Sequence, residues 1–225
     1  MSQKPAPNRE AMWDAYNRFH YLCDTPRFQK LVSRVELIQM ISDVPGDVVD
    51  AGAFKGISTI QFAHMLQIYQ PNSRSKVLSF DTFDSIFPRL RPDEAVAAQE
   101  LMGDFEDSAL EQLKDAVSGL DLSGRVRIVR GDIVETFPRY LAENPGFRIC
   151  LLHCDLDVYE ATLRTLEAAW PRIVPGGIIV FDEYAIENWG ESDAVDEFFK
   201  SLKRPPKLKQ LPSAITPTAY CIKGE

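Results

Sequence analysis

Two short stretches concentrate acidic side chains in a way that suggests chemistry: Asp155-Leu-Asp157-Val-Tyr159 and Phe181-Asp182-Glu183-Tyr184. Each follows an apolar run. Buried strands rarely end in clustered carboxylates without a partner cation, because like charges held close repel. Oxygen-only ligands favour a hard ion, and Mg2+ keeps positions open for water and substrate oxygens. The same acids also suit helix caps, since Asp157 precedes a helical run at 158–170 and 182–183 could begin a turn. His153 and Cys154 lie alongside, where a single histidine next to a thiol reads as strand packing rather than as a ligand.

A second candidate is the loop Asp50-Ala-Gly52-Ala-Phe-Lys-Gly56. A dinucleotide fold wants G-x-G-x-x-G there, so that the backbone can approach a pyrophosphate. Here the middle glycine position holds Phe54 and Asp50 would repel phosphate, which argues against a nicotinamide-dependent oxidoreductase. A carboxylate in this loop suits a ligand with an ammonium group and no phosphate, a description that fits S-adenosylmethionine. Gly52 and Gly56 would keep the loop open for the methionine portion, although an ordinary strand-to-helix turn also favours glycine. The next strand ends in Asp81-Thr82-Phe83-Asp84, and Asp81 is placed to accept hydrogen bonds from both ribose hydroxyls. Phe83 could stack beside an adenine or belong to the core. The following strand ends in Arg130-Gly131-Asp132, where Asp132 could take the adenine amino group, cap the helix that starts at Ile133, or do both.

These acids need elements to hold them. Short β-rich runs at 47–50, 76–81, 125–129, 147–153 and 177–181 alternate with helical spacing at 56–69, 94–117, 133–143 and 158–170. Strands alternating with helices imply βαβ units, hence an α/β fold with a mostly parallel sheet covered on both faces. Two late extended runs, 207–211 and 218–222, suggest an antiparallel pair at the sheet edge, for seven strands in all. Residues 10–22 and 27–41 read as two helices before the first strand, and the first carries Trp13, Tyr16, Phe19, His20 and Tyr21. It either packs on the sheet or covers the site. The expected division is a helical cover over 1–45 and a single compact unit over 46–225, with acceptor-binding segments at 8–24, 84–92 and 185–191. The acidic stretch 93–115 reads as a solvated helical face.

Composition narrows the function classes. The 225 residues are 45% apolar and 26% charged with a net charge of −8, the balance of one globular domain. An acidic protein of this kind lacks the basic face of a general nucleic-acid binder. No apolar run approaches the ~20 residues of a membrane span, and the opening MSQKPAPNRE has no secretory h-region, so a cytoplasmic location is expected. Four cysteines, Cys23, Cys150, Cys154 and Cys221, then read as free thiols. Three histidines without an HxxxH or paired CxxC leave little room for zinc. A scaffold that kept the fold without activity would have no use for the carboxylate set.

Taken together, the segments VPGDVVDAGAFKGIST, LSFDTF, VRIVRGDIVETFP, LLHCDLDVYEATLRTLEAAWPRIVPGGIIVFDEY, AVDEFF and PTAYCIK resemble the macrocin and mycinamicin sugar O-methyltransferases, in family order through residues 25–223. The resemblance implies a Rossmann-like class I methyltransferase fold that uses S-adenosylmethionine and Mg2+ to methylate a sugar hydroxyl. It implies Asp155, Asp182 and Glu183 as metal ligands, Asp157 as general base, and Asp155 and Asp157 as the catalytic pair. It makes the cofactor contacts Asp50, Gly52, Gly56 and Ser58 in the first loop, Asp81, Thr82 and Phe83 at the second strand, and Gly131, Asp132 and Ile133 at the third. The partner expected is a small-molecule acceptor with adjacent oxygens, handled by a homo-oligomer. Two positions depart from the family pattern: Asp50 stands where glutamate is frequent and Glu183 where aspartate is usual.

Overall fold

In the computed structural model, which describes residues 8–103 and 108–225, five strands run parallel and a sixth returns against them. The strands are β1 (Asp47–Ala51), β2 (Val77–Asp81), β3 (Val126–Arg130), β4 (Ile149–Cys154), β5 (Ile173–Phe181) and β6 (Ala219–Ile222). Their order is β3-β2-β1-β4-β5-β6, with β6 antiparallel to β5. Strand order reverses between β1 and β4, and in such sheets ligands bind at that switch point, beyond the carboxyl ends of the strands.

Both faces of the sheet are apolar because neighbouring strand residues point to opposite sides. Val49, Leu152 and Ile179 join one buried cluster with Phe137 of α6 (Ile133–Glu143), Leu163 of α7 (Tyr159–Ala169) and Phe198 of α8 (Glu191–Ser201). Val48, Leu151 and Ile178 join the other, with Leu37 of α2 (Thr25–Met40), Phe62 of α3 (Ile57–Tyr69) and Leu113 of α5 (Ala109–Gly119). Each fully buried Phe or Leu of this kind contributes about 1.5–3 kcal/mol relative to an exposed one.

The structure corrects several expectations. The described residues form six strands rather than seven: the run at 207–211 offers only one bridge, in which Lys209 and Tyr220 exchange backbone hydrogen bonds of 2.8 Å. Pro205, Pro206 and Pro212 flank it and supply no N–H donor. The helical stretch at 94–117 divides into α4 (Ala95–Met102), capped at Gly103, and α5, and part of the acidic run between them, residues 104–107, lies outside the described residues. Helix α8 was not anticipated, although Ala194, Val195 and Phe198 have helical spacing and are buried.

The N-terminal helices behave differently from each other. Helix α1 (Arg9–Leu22), capped by Asn8, buries no residue and contributes nothing to the central cavity. Its aromatic groups contact one another and Phe28 rather than the sheet, with Phe19 stacked on Phe28 at 5.9 Å. Helix α2, started by Asp24 with Pro26 in its first turn, buries Ser33, Arg34, Leu37 and Ile38 and packs against α3. Residue 45 therefore does not separate a cover from a core, since α2 is part of the layer on the sheet.

Candidate active site

A cavity of about 290 Å³ opens above the carboxyl ends of β1, β2, β3 and β4. One wall holds the Gly52 loop. Gly52 has φ +88°, and a Cβ there would lie 1.7 Å from the Asp155 carbonyl oxygen, so only glycine lets β1 and β4 end side by side. Gly56, at φ +80°, starts α3 over the Leu113 side chain and does not reach the cavity.

Asp81 ties this loop to the tip of β2. Its carboxylate accepts hydrogen bonds from the backbone N–H groups of Phe54 (2.8 Å) and Phe83 (2.7 Å). Burial, with further help from Asp50 and Asp84, raises its pKa to about 6 against the pull of those two donors. Thr82, Gly131, Asp132 and Ile133 continue the wall, whereas Phe83 is buried in the core. Asp132 does cap α6, accepting from Val134 N–H at 2.9 Å, and its other oxygen takes Arg89 Nε at 2.7 Å. Arg89 also reaches Glu135 and Glu160 and so pins the loop after β2 to α6 and α7.

Asp50 does not face the cavity. It is fully buried, accepting from Ser58 Oγ (2.8 Å), Thr59 Oγ1 (2.5 Å) and His153 Nδ1 (2.9 Å). Burial pushes its pKa up, but the bond from His153 and those from Thr59 and Ser58 outweigh it and hold the carboxyl below its ordinary value. The expected direct contact of Asp50 and Ser58 with a ligand is thus revised. Their side chains brace the loop from beneath.

Beside that loop lies the carboxylate cluster. Asp155, Asp157 and Glu183 place carboxylate oxygens within 4.8 Å of one another, and Asp155 forms a second such group with Asp182 and His153. The expected trio Asp155, Asp182 and Glu183 is therefore split, with Asp155 shared by two neighbouring sets. Asp157 sits at φ +64°, bridged by a hydrogen bond from Val158 N–H to the Leu156 carbonyl at 2.6 Å. That tight three-residue turn is strained for a non-glycine residue and ends the alternation that would have kept Asp155 and Asp157 on one face.

Charge in the cluster is unbalanced. Burial first, then Asp182, raises Asp155 to about 6. Burial, Asp182 and Asp155 raise Glu183 to about 7, and burial with Asp155 and Glu183 drives Asp157 well above the carboxylate range. A fifth acid, Glu191, is buried behind them, accepts from Glu183 N–H at 2.9 Å and is pushed up by burial and by Asp157. Two buried polar atoms meet without a hydrogen-bond partner among the described residues: Asp182 Oδ1, and His153 Nε2 at 3.9 Å from it. The unpartnered Asp182 oxygen and the all-oxygen set Asp155, Asp157 and Glu183 fit a hard cation.

Sequence reasoning missed Lys30, whose Nζ donates to Asp182 Oδ2 at 2.6 Å. It also read His153 as strand packing. Nothing in the spacing links a lysine of α2 to a strand tip 152 residues later. The cavity is further lined by Arg27 and Lys30, by Ile86, Phe87 and Pro88, and by Trp189, which tilts against Phe87 at 6.0 Å. Of the three expected acceptor segments, 84–92 and 185–191 contribute and 8–24 does not.

Comparison with known proteins agrees with this architecture. A family model described as Macrocin-O-methyltransferase (TylF) matches residues 3–211. The 8-demethyl-8-(2,3-dimethoxy-alpha-L-rhamnosyl)-tetracenomycin-C 4'-O-methyltransferase of Streptomyces olivaceus is 29% identical over 185 residues, covering 80% of this chain and 67% of that protein. The mycinamicin III 3''-O-methyltransferase of Micromonospora griseorubida is 31% identical over 163 residues, 69% of this chain and 61% of that protein. The chain thus spans about two thirds or less of the length of these relatives. Among solved structures, the calicheamicin methyltransferase CalS11 superposes with a TM-score of 0.83 at 30% identity, over 99% of this chain and 88% of that one.

Proposed function

Since the chain belongs to the macrocin O-methyltransferase family, we propose that it moves the methyl group of S-adenosylmethionine to a hydroxyl of a sugar, on a glycosylated natural product or a nucleotide sugar. The observation that carries this reading is one cavity lined both by Gly52 and Asp81 and by Asp155, Asp157 and Glu183. The activities of the tetracenomycin and mycinamicin relatives support a sugar acceptor.

Asp81 would take the ribose hydroxyls, the backbone around Gly52 the methionine portion, and Gly131 to Ile133 the adenine. Asp50, Gly56, Ser58 and Phe83 would shape that pocket from below. The acceptor would lie against Phe87 and Trp189, which exclude water from the reacting atoms. The hydroxyl oxygen attacks the methyl carbon, the carbon–sulfur bond breaks towards a neutral thioether, and the hydroxyl proton goes to Asp157. Because the sulfonium carries its own leaving group, the protein mainly positions the two reactants. Asp155, common to both sets, would hold Mg2+ with Glu183 or Asp182, and the ion would supply Lewis-acid polarisation of the acceptor oxygens. An acceptor with neighbouring oxygens, such as a vicinal diol, suits that role.

The test is methyl transfer from labelled S-adenosylmethionine to nucleotide sugars and glycosylated natural products, with Mg2+ and after exhaustive chelation. Transfer to a diol-bearing sugar that falls on chelation is expected. A protein that binds S-adenosylmethionine yet methylates no sugar in the panel would overturn the acceptor reading, and full activity after chelation would remove Mg2+ from it.

A further inference from the structure

We propose that Lys30 is the protein's own stand-in for the divalent cation: its ammonium neutralises the carboxylate cluster when no ion is bound and competes with the ion for Asp182. The inference rests on reading the cluster as a cation site. Asp182 is 0% exposed, and its Oδ2 accepts from Nζ of Lys30, whose side chain is 20% exposed along the cavity wall. A buried carboxylate left without a counter-charge is strongly destabilising, so this contact sustains the end of β5.

Lys30 is not a surface lysine that happens to lean inwards. It comes from a helix anchored by Ser33, Arg34, Leu37 and Ile38, and its charge is favoured by Asp155, the residue common to both oxygen sets, as well as by Asp182. Arg34 approaches the same acid from the next turn, while its guanidinium is held by Gln61 at 2.8 Å. Helix α2 thus delivers the positive charge that β4 and β5 lack. An ammonium 2.6 Å from Asp182 Oδ2 and a doubly charged ion on the same carboxylate repel each other strongly in a partly buried site. Asp182 Oδ1, buried and without a partner among the described residues, is the oxygen of that carboxylate that Lys30 does not engage. The four-carbon stem of Lys30 lets its head withdraw without displacing the helix.

The experiment compares the full-length protein with Lys30→Met and Lys30→Arg by calorimetric titration with Mg2+ and by thermal melting in chelator. Lys30→Met is expected to bind Mg2+ at least about tenfold more tightly. It is also expected to melt about 5 °C or more lower without metal, a difference that saturating Mg2+ removes. Lys30→Arg should resemble the parent in both measurements. Should Lys30→Met not fold in chelator, Lys30→Gln serves with the same readouts. Mg2+ binding of equal or lower affinity in the Met or Gln variant overturns the competition while leaving the cation site intact. Absence of Mg2+ binding in every protein overturns this inference together with the reading beneath it.

Discussion

Asp157 combines backbone strain with crowding by like charge, and both bear on its proposed role as base. Asp157→Asn keeps the size and the turn but removes basicity, so turnover should fall roughly 10²–10⁴-fold while cofactor affinity stays nearly constant. Steady-state kinetics beside calorimetry decides this, and near-parental turnover would move the proton to another group. Asp81→Ala should act in the opposite way, weakening S-adenosylmethionine binding by about 1–3 kcal/mol, the scale of hydrogen bonds to a charged group. Unchanged affinity by calorimetry would sink the ribose assignment. Asp81, Asp155, Asp157 and Glu183 were legible because an apolar strand that ends in acids announces an edge. Asp50 ends a strand in the same way yet points inwards, since its partners Ser58, Thr59 and His153 come from positions that only packing brings together.

Elements carry the next level of constraint, and Gly52 is the clearest case. Gly52→Ala forces a Cβ into the Asp155 carbonyl and a side chain onto φ +88°. A loss of about 2–4 kcal/mol in urea unfolding is expected, together with weakened cofactor binding, because Asp155 must shift. Stability within 0.5 kcal/mol of the parent would mean that the loop relaxes freely. The alternation of strands and helices was readable from periodicity alone, and α6 begins and ends where its spacing predicted, Ile133–Glu143. The edge run at 207–211 was not, because its residues have extended character but prolines on either side deny it a ladder. The aromatic first helix misled for a related reason: aromatic groups on several sides of a helix satisfy one another and need no sheet beneath them.

For the whole molecule, the acids of the cavity set how stability responds to pH. Asp81 and Asp155 titrate near 6 and Glu183 near 7 in the folded chain, all above the roughly 4 of unfolded carboxylates. Between about pH 4 and 7 the folded state therefore holds more protons than the unfolded one, so stability falls as pH rises through that window. The urea midpoint in chelator should drop from pH 5 to pH 8, and saturating Mg2+ should flatten the slope. A midpoint that is level or climbs over that range would show that the cluster is neutralised by other means. Strand β6 has a consequence of another kind. Among the described residues it follows every other strand, and it alone covers the outer edge of β5, pairing Ile178, Ile179, Val180 and Phe181 with Ile222, Cys221, Tyr220 and Ala219. A chain interrupted by a stalled ribosome or a protease between Phe181 and Ala219 would present that apolar ribbon with its peptide groups unpaired, a template for a second such fragment. Truncated copies should therefore pellet together, and the addition of a peptide carrying residues 218–223 should keep them dispersed.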